Sequence, residues 1–540
     1  MSESAADGTA PAGEAPPSTG RLRALAVRGS LWTMGGYAAS QLLRLASNLI
    51  LTRLLFPAVF GEAALVFIFI QGLAMFSDVG TGPAIIQNPK GDDPSFINTA
   101  WTIQCGRGAI LWLASWAIAW PLAAFYGQPS LRWLIPAAGV TALLGGFEST
   151  AMHVLQREIK LERLTLVELA GQFAGIAATV LLAYGDTQLY GPTHPSAIWA
   201  IVGGSLVASG VRLVLSHTCL PGIRNRFRLD RRASRQLFKF GRWIFVSTLL
   251  TFLAAQLDRL IFGKMIPIAL FGVYSIAVLL AALPTQAVLK LGSAVVFPAY
   301  SRLVGREDFG NLFWRVRFPA LLGGAAIASG LIACGPPLVR ILYDRRYVEA
   351  GWMLQYLSAA AWFQILECTN GAALLAKGHV RWVAAGSAAK VAGMIGLIPF
   401  GFHAAGFRGA LVGLVLSETL KYFISSIGAA MAGLGGFARD TLVTLVVGVI
   451  AATGLIAGAL ASAHGVGKFL TLATSAAAVG LPWIAITLTY LHRERADSGA
   501  RAARDSGHGK RISIGATEPG TPPVGPAGSD PVRSCDSRSR

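Results

Sequence analysis

Apolar residues along most of the 540-residue chain come in runs separated by short polar breaks. Each run is about 20 residues long, the length a helix needs to cross a hydrocarbon core of ~30 Å. Fourteen such runs are read from the sequence, at 30–52, 60–85, 99–124, 132–153, 163–184, 196–217, 241–263, 268–292, 317–341, 351–376, 381–402, 406–429, 440–462 and 467–491. They group as two sets of six followed by a pair. The expected fold is an all-α integral membrane protein with a first lobe at 29–218, a basic cytoplasmic linker at 219–240, a second lobe at 241–430 and two further spans within 438–492. Residues 1–28 begin rich in Ala, Gly, Pro and Ser, then place Arg21, Arg23 and Arg28 before a span without a small-residue cleavage site. That is the pattern of an uncleaved signal anchor. Residues 493–540 hold too few apolar side chains to fold alone. Both ends are expected to be disordered and cytoplasmic.

Composition agrees with this pattern, since 54% hydrophobic and 14% charged residues lie outside the range of ordinary soluble domains. A net charge of +19 would suggest nucleic acid if it were gathered on a polar domain. The basic residues are instead spread over short loops and tails, so the charge reads as topogenic and no nucleic-acid partner is expected. Lys and Arg accumulate on the cytoplasmic side. With the N-terminus inside, the cytoplasmic loops carry Arg157, Lys160 and Arg163, the run from Arg224 to Arg242, and Arg302, Arg306, Arg315 and Arg317. The count is roughly two dozen basic residues inside against about seven outside. Asp344-Arg345-Arg346 is the exception on the outer side. The run 224–242 sits where the lobes join and serves as a linker or as a contact for anionic lipid headgroups.

Several chemistries are excluded. No GxxxxGK[ST] loop is present, and Gly465-Val466-Gly467-Lys468 lacks its spacing, so ATP hydrolysis is not expected. The spans hold no His/Glu metal spacing, and no outer loop is long enough for a catalytic domain. The cysteines at 105, 219, 334, 368 and 535 have no paired spacing and read as packing residues. No cofactor is expected beyond a coupling proton or sodium ion.

Charges inside apolar runs cost roughly 2.5–3.5 kcal/mol on insertion scales and normally face a cavity or a partner. Tyr37, Gln41, Arg44, Asn48 and Thr52 recur at steps of three and four, which places them on one helical face. A water-lined wall fits that stripe. Asp258 and Arg259 are adjacent and point about 100° apart, so each requires a partner elsewhere. Arg107, Arg212, Lys290 and Lys390 add positive charge, with Arg212 and Lys290 near enough to span ends to snorkel. Arg44, Arg107, Arg259 and Lys390, with Gln41 and Asn48, are the expected cationic cavity. Asp78, Asp258, Glu367 and Glu418 are the candidates for coupling or charge pairing, and Glu418 stands three residues before Lys421, the spacing of a helical pair. A cationic cavity suits a diphosphate, because guanidinium groups offer bidentate hydrogen bonds to phosphate oxygens. Gly171-x-x-x-Gly175 suits close helix packing.

The segment Thr52 to Gly61 resembles Gly263 to Gly272, and Gly82-Pro83-Ala84-Ile85-Ile86 resembles Gly292-Ser293-Ala294-Val295-Val296 at nearly the same offset. Both copies begin with a span entered from the cytoplasm, the pattern of a parallel two-lobe repeat.

Ile50-Leu51-Thr52-Arg53-Leu54-Leu55-Phe56-Pro57-Ala58-Val59-Phe60-Gly61, continuing to Phe76-Ser77-Asp78-Val79-Gly80-Thr81-Gly82-Pro83-Ala84-Ile85-Ile86-Gln87, resembles the opening signature of the polysaccharide-transport (Wzx-type) flippases. These belong to the multidrug/oligosaccharidyl-lipid/polysaccharide (MOP) exporter superfamily. Gln256-Leu257-Asp258-Arg259-Leu260-Ile261-Phe262-Gly263-Lys264 and Leu270-Phe271-Gly272-Val273-Tyr274-Ser275 resemble that family's seventh and eighth helices. The resemblance covers about residues 25–490 and rests on hydropathy more than on residues after 300. It implies a bacterial inner-membrane flippase for undecaprenyl-pyrophosphate-linked oligosaccharide, acting by alternating access and working with membrane lipids, a polysaccharide polymerase and chain-length machinery. It also implies a lipid-tail groove at the last two spans. A drug/cation antiporter of the same superfamily is the alternative transporter, opposed by the cationic cavity, and a membrane glycan ligase or polymerase is the alternative from another class.

Overall fold

The computed structural model describes residues 19–77, 81–88, 93–158, 160–191, 194–220, 225–291, 300 and 309–512. Among these residues there is no strand. The helices are α1 (Thr19–Leu54), α2 (Pro57–Phe76), α3 (Thr81–Gln87), α4 (Pro94–Tyr126), α5 (Leu131–Phe147), α6 (Ala151–Arg157), α7 (Leu161–Tyr190) and α8 (Ile198–Thr218). They continue as α9 (Arg231–Met265), α10 (Ile268–Leu291), α11 (Phe309–Leu342), α12 (Ala350–Ala376), α13 (Val380–Met431), α14 (Phe437–Ala463) and α15 (Lys468–Ile512). Among the described residues eight helices are long and apolar enough to cross a membrane with the two arms of α13 counted as one, or nine when α5 and α6 count as one bent span. Helix α12 falls short on composition because it carries Gln355, Gln364, Glu367 and Asn370. The molecule is a multi-pass membrane protein.

Two expected spans differ from the observed helices. The second is expected at 60–85, but α2 starts at Pro57, whose fixed φ suits a first helical position, and ends at Phe76. The fourth, placed at 132–153, is broken by a 60° bend between α5 and α6, with Glu148 at the corner. The eleventh and twelfth spans, expected at 381–402 and 406–429, are the two arms of α13, separated at Ala405 and at Gly406 (φ 61°, ψ −149°). Glycine alone occupies that last conformation readily. The arms 380–404 and 407–431 are each about 37 Å long at 1.5 Å per residue, enough for a span.

The described residues divide into two units, one up to Leu481 and one from Pro482 onward. In the second unit α15 continues from Pro482 to Ile512, well past the boundary at 493 where the tail was expected to begin. In the first, α4 packs on α5, α7 on α8, α11 on α12, and α2 on α10. Gly171 and Gly175 make the α7–α8 contact close: a Cβ at Gly175 would meet Ala208 and the Gly204 carbonyl oxygen. The α2–α10 contact joins the two copies of the repeat. A Cβ on Gly61 would run into the carbonyl oxygen of Ile268, and one on Gly272 would run into that of Pro57. Each of those carbonyls belongs to the residue four before the opposite glycine. The contact is therefore reciprocal, as in a two-fold pair of equivalent surfaces. Around it Leu55, Leu65, Phe262, Phe271 and Tyr274 are fully buried.

Candidate functional site

Two cavities flank α10. The larger, about 710 Å³, is lined by Arg44, Ser47 and Asn48 of α1, Gln172 of α7, Ser205 of α8 and Ser275 of α10, with Phe60, Phe67 and Leu279 as apolar wall. Helical spacing brings Arg44, Ser47 and Asn48 to one side of α1. Gln172 is fixed there by two bonds to Ser40, accepting from its hydroxyl at 2.6 Å and donating to its carbonyl at 2.9 Å. Among the described residues no carboxylate lines this cavity. Among the described residues Arg44 has no ion-pair or hydrogen-bond partner in the protein, and its side chain is exposed to the space.

The smaller cavity, about 140 Å³, is lined by Asp258 and Arg259 of α9, Thr285 of α10, Gln364 of α12, and Lys390 and Glu418 from the two arms of α13. Its charges balance. Lys390 and Glu418, both buried, form an ion pair, and Gln364 donates to the same Glu418 oxygen at 2.5 Å. Asp258 accepts from the Tyr274 hydroxyl at 2.5 Å. Arg259 faces this cavity without a protein partner among the described residues. The two cavities share α10 as their partition, with Ser275, Ile276 and Leu279 toward the larger and Val278, Ala281 and Thr285 toward the smaller.

The remaining sequence candidates lie elsewhere. Gln41 donates to Gln286 at 2.9 Å and to the Tyr37 hydroxyl at 2.8 Å, tying α1 to α10. Thr52 is fully buried and bonds within its own helix to Leu49. Of the five-group stripe, Arg44 and Asn48 line the cavity. Arg107 donates to the Ala74 carbonyl at 2.5 Å and the Ser77 hydroxyl at 2.8 Å. A cation suits that place, because the last carbonyls of α2 carry the negative end of the helix dipole. Arg107 lines neither cavity. Asp78 and the Lys290 side chain lie outside the described residues. Arg212 does not snorkel alone: it donates to Glu148 at 2.6 and 2.8 Å, across the α5–α6 corner. The spacing of Glu418 and Lys421 suggested a helical pair, but Lys421 bonds Glu367 at 3.0 Å, leaving Glu418 to Lys390.

Sequence reasoning missed two sets of residues. Arg317, read as a loop cation, is fully buried and bridges both oxygens of Asp440 at 2.8 and 2.9 Å, with Thr369 and the Leu366 carbonyl completing its bonds. Each partner stands at the edge of an apolar run, where charge passes for loop. The other set is the turn between α11 and α12. There Arg346 donates to the carbonyls of Thr52 at 3.1 Å and Arg53 at 3.2 Å, and Tyr347 donates to that of Leu55 at 2.9 Å. Tyr343 donates to Asn48 Oδ1 at 2.8 Å. Asp344 grips Arg346 at 2.9 and 3.1 Å. What burial this carboxyl has would raise its pKa, but the bonds from Arg346 hold it below the ordinary value. The charged triplet that ran against the positive-inside count thus has a packing role.

The family described as polysaccharide biosynthesis protein matches residues 50–351, more than half of the chain. The lipopolysaccharide biosynthesis protein WzxC of Escherichia coli (strain K12) is 22% identical over 78% of this chain and 85% of its own length. The teichuronic acid biosynthesis protein TuaB of Bacillus subtilis (strain 168) is also 22% identical, over 56% of this chain, which spans 61% of TuaB. Among solved structures, the lipid II flippase MurJ in an inward closed conformation covers 85% of this chain and 99% of its own, with a TM-score of 0.66 at 12% identity. At that identity the likeness is one of fold, and it extends to transporters of the MOP superfamily. Matched over most of its helical region, with two cavities set among helices of that fold, the chain belongs to the polysaccharide biosynthesis protein family and has the all-α architecture of the MOP-superfamily transporters.

Proposed function

We propose that this chain is a flippase that moves undecaprenyl-pyrophosphate-linked oligosaccharide, a polysaccharide repeat unit, across the bacterial inner membrane by alternating access of two lobes. The observation that carries the reading is Arg44: a cation left without a protein partner among the described residues, in a mainly apolar cavity whose described lining holds amides and hydroxyls but no carboxylate. A guanidinium with no carboxylate beside it favours a phosphate anion, to which it offers two parallel hydrogen bonds. Serine, asparagine and glutamine suit the hydroxyls of a glycan. The names of WzxC and TuaB place those relatives in the biosynthesis of lipopolysaccharide and teichuronic acid, and that of MurJ makes it a flippase of lipid II. The same unpaired Arg44 opposes the reading as an exporter of cationic drugs.

The test is Arg44→Gln in purified protein. It should weaken binding of undecaprenyl diphosphate by about 10- to 100-fold, the weight of one or two charge-assisted hydrogen bonds, with thermal stability unchanged. Arg44→Lys, which keeps the charge but not the fork, should lose less. Equal binding by Arg44→Gln and the parent would reject the reading.

A further inference from the structure

We infer that the turn Tyr343–Tyr347 is a clasp that holds one end of the bundle shut, and that Asn48 fastens this clasp to the larger cavity. The last carbonyls of a helix have no partner within it. Those of α1 at Thr52 and Arg53 are satisfied from a segment almost three hundred residues away in the chain, by Arg346. A cation there also meets the negative end of the α1 dipole. The guanidinium is held in plane by Asp344 and lies over the Phe56 ring at 4.6 Å. One residue on, buried Tyr347 donates to Leu55 and sets its ring edge-on to Phe60, which is itself a wall of the larger cavity. Separating α1 from the α11–α12 turn must break all of these bonds together.

Tyr343 reaches a turn deeper than the others and ends on Asn48. That amide therefore has two duties. Its oxygen accepts from the clasp, while the residue lines the cavity one turn from Arg44. A glycan hydroxyl or phosphate that draws the Asn48 amide toward itself competes with Tyr343 for it, so loading the cavity loosens the clasp from inside. Asn48 is in this sense a positioning residue for closure. The link to cargo rests on the reading of the larger cavity given above, whereas the clasp rests on the bonds alone.

The test uses the full chain in lipid nanodiscs without cargo. Its five native cysteines are replaced, and spin labels are placed at Arg53→Cys and Arg345→Cys, both exposed positions whose side chains take no part in the clasp. Distances are read by double electron–electron resonance. The parent should show one narrow, short distance. Tyr343→Phe removes a single hydroxyl and should move the closed-to-open ratio by about 3- to 10-fold, the range expected for one hydrogen bond. Asn48→Ala should do the same, and the two together no more than either alone, because both delete the same bond. Asn48→Asp keeps an acceptor oxygen and should restore the short distance while its charge repels phosphate from Arg44. Repeating the set in an Arg346→Gln background brings the populations nearer to balance, so that shifts hidden in a tightly closed parent are read. Unchanged ratios in both backgrounds, or Asn48→Asp opening as far as Asn48→Ala, would overturn the clasp. Failure of the parent to bind undecaprenyl diphosphate would reject the cargo reading instead, and the label distances would still decide the clasp.

Discussion

Arg44 and Lys390 look alike in the sequence, each a lone cation in an apolar run, and the structure separates them. Lys390 is neutralised by Glu418, which comes from the opposite arm of α13 beyond the break at Gly406. Nothing in local spacing announces such a partner, so the expected four-cation cavity resolves into Arg44 in one space and Arg259 in another. The polar stripe on α1 was legible because helical periodicity is local. The pairs Arg212–Glu148, Lys421–Glu367 and Arg317–Asp440 were not, because they join helices far apart in the chain. The last of these makes a prediction at this scale. Arg317→Met strands Asp440 in the interior and should cost about 3–5 kcal/mol of stability, read as a lowered denaturation temperature in detergent, while adding Asp440→Leu should recover part of it. A double variant less stable than Arg317→Met would contradict this account of the pair.

Elements were legible where hydropathy alone decides them and less so where tertiary contact intervenes. The apolar runs coincide with helices, but the end of α2 and the bend at Glu148 depend on what packs or bonds at those points. The repeat pairing Gly61 with Gly272 was visible as a weak likeness, and the structure gives it a cause. Two helices that approach until each glycine faces the other's carbonyl cannot accept a side chain at either place. Gly61→Ala or Gly272→Ala should therefore destabilise the fold by about 1–3 kcal/mol through overpacking, measured by thermal denaturation. The double variant should cost less than the sum, because the first substitution already parts the helices. Strict additivity would indicate two unrelated contacts.

At the scale of the whole molecule, membrane class and helical architecture follow from run length and composition, which solvent physics constrains tightly: in lipid the backbone must satisfy itself, and helices do so. The proposed cargo rests instead on a few side chains at one cavity and on likeness to proteins of polysaccharide biosynthesis. The most direct measurement is flipping in sealed proteoliposomes that hold a fluorescently tagged undecaprenyl-diphosphate oligosaccharide, followed by its access to an impermeant reductant. With the parent protein, tag initially shielded in the inner leaflet should become reducible, and with Arg44→Gln that fraction should stay protected. Protection that persists with the folded parent protein, or equal loss of protection with Arg44→Gln, would contradict the account.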